Sequence, residues 1–217
     1  MAAASLALTV GCGAGTAPPP GPSAPTPSAA TPTATAAPPE PDSALPDRDW
    51  GVVESDRFLL NVSLPDRGGW ITDDRSGPWF RARHPASRSE ILLRTWRAGR
   101  AVTHEQCERQ ARLWRPDLPT FPSEAVLDTR RLDAPNGYVS ELTVGAGLSE
   151  DGQLEGFALL VGTALRRCLV FVFSTRAAGA HAEQQLGARL SLMSDGVLPE
   201  LRARTVDDRG RGLREVR

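Results

Sequence analysis

The stretch from Gly13 to Pro46 decides how much of this chain can fold. It is nearly all Pro, Ala, Thr, Ser and Gly, it holds eleven of the nineteen prolines, and its only charged residues are Glu40 and Asp42. Such a segment cannot bury enough apolar surface to offset the entropy of ordering it. Its prolines favour extended polyproline II at about 3.1 Å per residue, so it reads as a disordered, semi-rigid tether spanning at most roughly 100 Å. Its Ser and Thr residues are candidate O-glycan acceptors. The chain then divides into residues 1–12 as a signal peptide, 13–46 as the linker, 47–200 as a globular domain and 201–217 as a charged, frayed tail. The third piece is of ordinary single-domain size.

The residues before the tether give an address. Ala2 to Val10 is a short apolar run, followed by Gly11 and Cys12, an order that suits the apolar segment and small-residue cleavage site of a secretory signal. Val10, Gly11 and Cys12 resemble the last three places of the bacterial lipoprotein lipobox, although Thr9 stands where Leu is usual and Leu8 is one place early. No Lys or Arg precedes Cys12, so either translation starts upstream of Met1 or the signal is a weak one. The resemblance implies that Cys12 is lipidated and becomes the mature N-terminus, with a membrane as its first partner. It implies several acyl chains, which hold stably where one binds only marginally. The apolar run is about half the ~20 residues a bilayer-spanning helix needs. Gly13 occupies the place where an Asp would favour inner-membrane retention, so the outer membrane is the expected site within the cell envelope. If the leader is instead an incidental Ala-rich terminus, the chain is cytoplasmic.

Charge and motifs exclude more than they assign. The formal net charge is −1, and every basic residue is Arg. Such a balance is no footprint for nucleic acid. The Arg209-Gly210 and Arg211-Gly212 pairs sit beside Asp207, Asp208 and Glu215, and read as tail. There is no HExxH or CxxC, no GxSxG, and no glycine-rich phosphate loop, so neither metal nor cofactor nor a catalytic residue is expected. His84, His104 and His181 are scattered, and each is expected to face solvent. Asp73-Asp74 and Glu150-Asp151 read as solvated turns, and the Asn61-Val62-Ser63 sequon falls in an expected strand. With Cys12 lipidated, Cys107 and Cys168 remain. An oxidising periplasm would permit a disulfide between them, worth roughly 4 kcal/mol in the chain-entropy model. The alternative is two buried free thiols.

Hydrophobic periodicity supplies the fold class. Phe58, Leu60, Val62 and Leu64 alternate as in a half-buried strand, Pro65 to Gly69 turns, and Trp70–Thr72, Trp79–Arg83 and Ile91–Trp96 continue the strands. Thr103 and Gln106 form a capping box for a helix whose Cys107, Ala111 and Trp114 share one face and which Pro116 ends. Ala125–Leu132 and Tyr138–Gly145 flank Asn136-Gly137, a strong hairpin signal, and Leu154–Ala164 follows. Cys168–Phe173 is continuously apolar, the sign of a central strand covered on both faces. Ala182, Leu186, Leu190 and Met193 stripe a closing helix over about 180–194, with Gly196 just past its end. The order predicts α+β, a mainly antiparallel sheet with two helices packed on it.

An N-terminal hairpin with a Leu64-Pro65…Gly69-Trp70 turn, a mid-chain helix, a meander and a closing helix resemble the PsbP-like α/β/α sandwich over about residues 50–198. Bacterial members of that group are often lipoproteins without an assigned activity, and the resemblance carries over no functional residue. Five tryptophans against one tyrosine stand out. Core packing is the default for them, and Trp70 and Trp79 near the turn-rich end are the candidates for a binding surface. The expected function is therefore non-catalytic, a surface for an envelope protein or other envelope component. The alternative is a small-ligand-binding periplasmic domain or an enzyme whose site is assembled from scattered residues.

Overall fold

The apolar run Cys168–Phe173 lies in the middle of a seven-stranded antiparallel sheet in the computed structural model, which describes residues 44–133, 137–149 and 151–203. In chain order the strands are β1 (Gly51–Ser55), β2 (Leu60–Leu64), β3 (Ile71–Asp73), β4 (Phe80–His84) and β5 (Ser89–Arg97). Helix α1 (His104–Trp114) follows, then β6 (Val126–Asp133), β7 (Val139–Leu148), β8 (Leu154–Ala164), β9 (Arg167–Ala177), α2 (Ala182–Ser191) and β10 (Arg202–Ala203). The large sheet runs β3-β4-β5-β9-β8-β7-β6, and β1, β2 and β10 form a small second sheet. The fold is thus α+β, with two helices and a mostly antiparallel sheet.

Side-chain alternation along β9 gives the sheet two different faces. Leu169, Phe171 and Phe173 point into a large core with Ile91 and Leu93 of β5 and Leu142 of β7. Leu60, Val62 and Leu64 of the small sheet, Leu186 and Leu190 of α2 and Met193 just beyond it cover that core. Cys168, Val170 and Val172 point the other way, into a smaller core with Leu159, Val161, Trp79 and the α1 residues Cys107 and Ala111. Gly156 of β8 lets α2 seat closely, since a Cβ there would lie 3.0 Å from both Leu186 and Leu190.

The start of α1 carries its capping box: Gln106 N–H donates to Thr103 Oγ1 at 3.4 Å, and Thr103 N–H donates to Gln106 Oε1 at 3.2 Å. Three expectations shift. Trp114 does not share the buried face with Cys107 and Ala111 but is exposed, because the helix ends there and its ring turns toward β5. Gly196 does not terminate the last helix. Beyond α2 the chain widens into a π-type turn over Leu192–Val197 that contains it, and a Cβ on Gly196 would lie 3.0 Å from the Trp50 ring. The folded body also reaches past residues 47 and 200: Leu45 and Leu201 are buried in the large core, and Arg202–Ala203 pairs with β2. Cys12, the bulk of the tether, Asn136, Glu150 and the end of the tail lie outside the described residues. Among the described residues no helix is long and apolar enough to cross a membrane.

Candidate functional site

At one end of the large core the sheet face turns polar. His84 of β4, Ser89 of β5 and Thr175 of β9 lie side by side, paired in register across three strands. Hydrogen bonds run through them: His84 Nδ1 to Ser87 Oγ at 2.8 Å, Ser87 Oγ to Ser89 Oγ at 2.9 Å, and Ser89 Oγ to Thr175 Oγ1 at 2.9 Å. The buried Arg189 guanidinium of α2 donates to Thr175 Oγ1 at 3.1 Å and to the Arg176 carbonyl at 2.6 Å. At the other end His84 Nε2 meets Asp66 Oδ2 at 2.9 Å. Ser87 N–H donates to Nδ1, so Nδ1 is the acceptor and Nε2 carries the proton given to Asp66.

The Leu-Pro…Gly-Trp turn builds this end. Asp66 sits in the left-handed region at φ 46°, Trp70 Nε1 donates to the Pro65 carbonyl at 2.8 Å, and the Trp70 ring lies 5.2 Å from the His84 ring. A Cβ on Gly69 would collide with His84 Nε2 and lie 2.7 Å from Asp66 Oδ2, so only glycine allows that approach. The Asp–His–Ser set resembles a hydrolytic triad in composition, yet its geometry is structural. Asp66 and Ser87 hold the imidazole nitrogens opposite to those of a serine hydrolase, and Ser87 is fully buried. Its role is to satisfy polar groups that would otherwise destabilise the interior. His84, expected to face solvent, is 1% exposed, because the 65–69 turn folds over it.

The opposite face, around α1, carries the accessible features. Arg94 of β5 lies between two indoles, 3.6 Å from the Trp114 ring centroid and 5.8 Å from that of Trp79. Trp96 meets Trp114 edge-on at 4.9 Å. Partial burial, and after it the nearby charge of Arg57, lower the Arg94 pKa. The indole faces offset part of that cost, by roughly 0.5–2 kcal/mol for such a cation–π contact. Arg57 donates to the carbonyls of Asp74 and Gly77, and Asp73 accepts from the N–H groups of Arg75 and Ser76, which holds its carboxyl below the usual range.

Two clefts open beside this cluster. One, of about 390 Å³, runs between Pro78-Trp79 and Trp114–Asp117. The other, of about 660 Å³, lies between Trp96, the 98–102 loop and α1, with Cys168 in its wall. Cys168 and Cys107 are joined by a disulfide with a Cα–Cα distance of 5.6 Å, which fastens α1 to β9.

The sequence-chosen residues therefore do not gather at one site. Trp70 and Trp79 are only 4% and 6% exposed: the first packs on His84, and the second lies under Arg94 in the wall of the smaller cleft. His104 is half-exposed in the first turn of α1, and His181 is exposed at the start of α2. Among the described residues no group of three or more His, Cys, Asp or Glu converges as a metal site. Sequence reasoning missed Arg189, Arg94 and the Trp96–Trp114 pair. The first could have been found at i+3 from Leu186 on the apolar stripe, and Arg94 and Trp96 at period two from Leu92.

No family model and no curated protein matches the chain. A crystal structure from Bacteroides thetaiotaomicron is similar to it at a TM-score of 0.41 and 11% identity, covering 73% of this chain and 49% of that one. The chain thus spans about half the length of that protein, and a likeness of this degree does not bear on what the chain does.

Proposed function

We propose that this chain is a cell-envelope lipoprotein, held to a membrane by lipid on Cys12 and displayed on the Pro-rich tether, whose α+β domain binds a partner and catalyses nothing. The observation that carries the reading is the pairing of Cys107 with Cys168. Disulfides persist in oxidising compartments, and the pairing leaves Cys12, next to the tether, as the odd cysteine. Lipobox-like spacing at Val10–Cys12 and the absence of Asp at position 13 point the same way, toward the outer membrane. The order of layers, α1 on one face of the large sheet and α2 with the small sheet on the other, is in keeping with a PsbP-like sandwich. Exposed Leu113 and Trp114 beside the clefts support binding, since aromatic residues concentrate interface energy.

Labelling of producing cells with radioactive palmitate tests the anchor. Label is expected on the wild-type chain and lost in Cys12→Ala, with the variant released to the soluble envelope fraction. An unlabelled wild-type chain recovered from the cytosol overturns the reading.

A further inference from the structure

The larger cleft differs from the rest of this near-neutral chain in its charge. It is lined by Trp96, Arg100, Gln106, Arg109, Gln110 and Leu113, among others, and no acidic residue is in its wall. Neither the Arg100 nor the Arg109 side chain makes a hydrogen bond or ion pair with any described residue. Arg109 and Leu113 also border a second hollow with Glu105 and Glu108, of which Glu108 pairs with Arg112 and neither makes an ion pair with Arg109. Exposed apolar residues lie in and near the cleft. On the α1 side stands Leu113, 70% exposed, with Trp114 beside it. Leu165, 87% exposed, stands at the tip of the β8–β9 turn next to the 98–102 loop. The Leu165 carbonyl accepts from Val102 N–H at 3.0 Å, and the carbonyl of the next residue, Arg166, accepts from Ala98 N–H at 2.7 Å. These bonds tie the β8–β9 turn to the 98–102 loop. The disulfide fixes the spacing of the two walls.

We infer that this groove is the partner site, and that it receives an acidic peptide segment bearing large apolar side chains. The inference rests on the partner-binding reading above and adds to it a place and a chemistry. Guanidinium groups with unused donors match carboxylates in a planar fork, and the two Gln side chains can serve backbone amides. Exposed Leu113 in the cleft wall offers an apolar contact. A bilayer with anionic headgroups would want the same charges on a protruding surface; here they line a hollow, which favours a peptide. The volume of about 660 Å³ falls within the range of ordinary ligand sites.

The test uses the full chain and a fluorescein-labelled synthetic peptide of alternating Glu and Leu, with a Lys–Leu peptide of equal length and phosphatidylglycerol vesicles as comparisons. Fluorescence anisotropy is expected to show binding of the Glu–Leu peptide alone, weakened by added salt. Arg100→Gln combined with Arg109→Gln should lower its affinity by about tenfold or more, and Leu113→Ala by a smaller factor. Arg83→Gln, at the opposite end of the sheet, should change nothing. All these positions are exposed or line an open cleft, and unchanged near-UV circular dichroism confirms each fold. No binding of the acidic peptide, binding indifferent to the double variant, or binding of vesicles in its place overturns the inference. A photo-crosslinker at Leu113 and another at Leu148 separate the two levels. Adducts from envelope extract through Leu148 but not Leu113 leave partner binding standing and remove the groove, and adducts at neither remove both.

Discussion

On one face of the seven-stranded sheet, Phe171 and Phe173 meet α2 and the small sheet across a broad apolar interior. On the other, Val170 and Val172 meet a single helix that contributes only Cys107 and Ala111 to the buried set. The first face is closed by area, and burying a large apolar side chain contributes about 1.5–3 kcal/mol. The second is short of area, and a covalent bond, a capping box and an arginine held between indoles make up the difference. The accessible clefts lie on the second face. A helix fastened at one point and thinly packed leaves concave margins, which a thick core fills.

The contrast can be broken by experiment. Phe171→Ala, in the thick core, should cost about 3–5 kcal/mol and lower the urea midpoint of the whole domain with little change in slope. Replacing Cys107 and Cys168 together by Ser should cost about 2–5 kcal/mol, and hydrogen exchange should show α1 losing protection before β8, β9 and α2. Simultaneous loss across both faces would mean that the two closures are not independent. Gly69→Ala should cost about 1–3 kcal/mol by displacing His84 from Asp66. Gly68→Ala, where a Cβ would meet nothing within 4 Å, should stay within about 0.5 kcal/mol of wild type. Thr103→Ala should cost about 1 kcal/mol, expressed as fraying of α1. The smallest effect concerns pH. The Asp73 carboxyl is depressed below 3.8 by the N–H groups of Arg75 and Ser76, so its contribution is present above that value and fades as pH falls through the lower folded-state value. Asp73→Asn should lower stability slightly at neutral pH and leave it nearly unchanged below the folded-state value, so that the acid limb is flatter.

Much of the fold was legible because it rests on local pattern. Alternation over Phe58–Leu64, the continuous run at Cys168, the Thr103–Gln106 box and the Asn136-Gly137 signal depend on neighbours within a few residues. The polar seam was not legible, since His84 is buried by Asp66 and joined through Ser89 to Thr175, contacts 18 and 86 residues apart. The same limit applies to Trp79, whose place in the smaller core is the default reading but whose cover by Arg94 depends on a residue of another strand. The Leu-Pro…Gly-Trp turn was visible, but its purpose, making room for an imidazole, needed the third dimension.

The order β5-β9-β8 has a consequence for how such a chain is made. The strand at the middle of the sheet is contributed by the last third of the sequence, and β5 and β8 are not joined until it arrives. Pairings this remote are slow to form, so a nascent chain emerging N-terminus first stays open until Ala177 has cleared the exit. On the export route proposed above, that delay would keep the chain linear during passage and postpone closure to the far side, where an oxidant could join its two sulfurs.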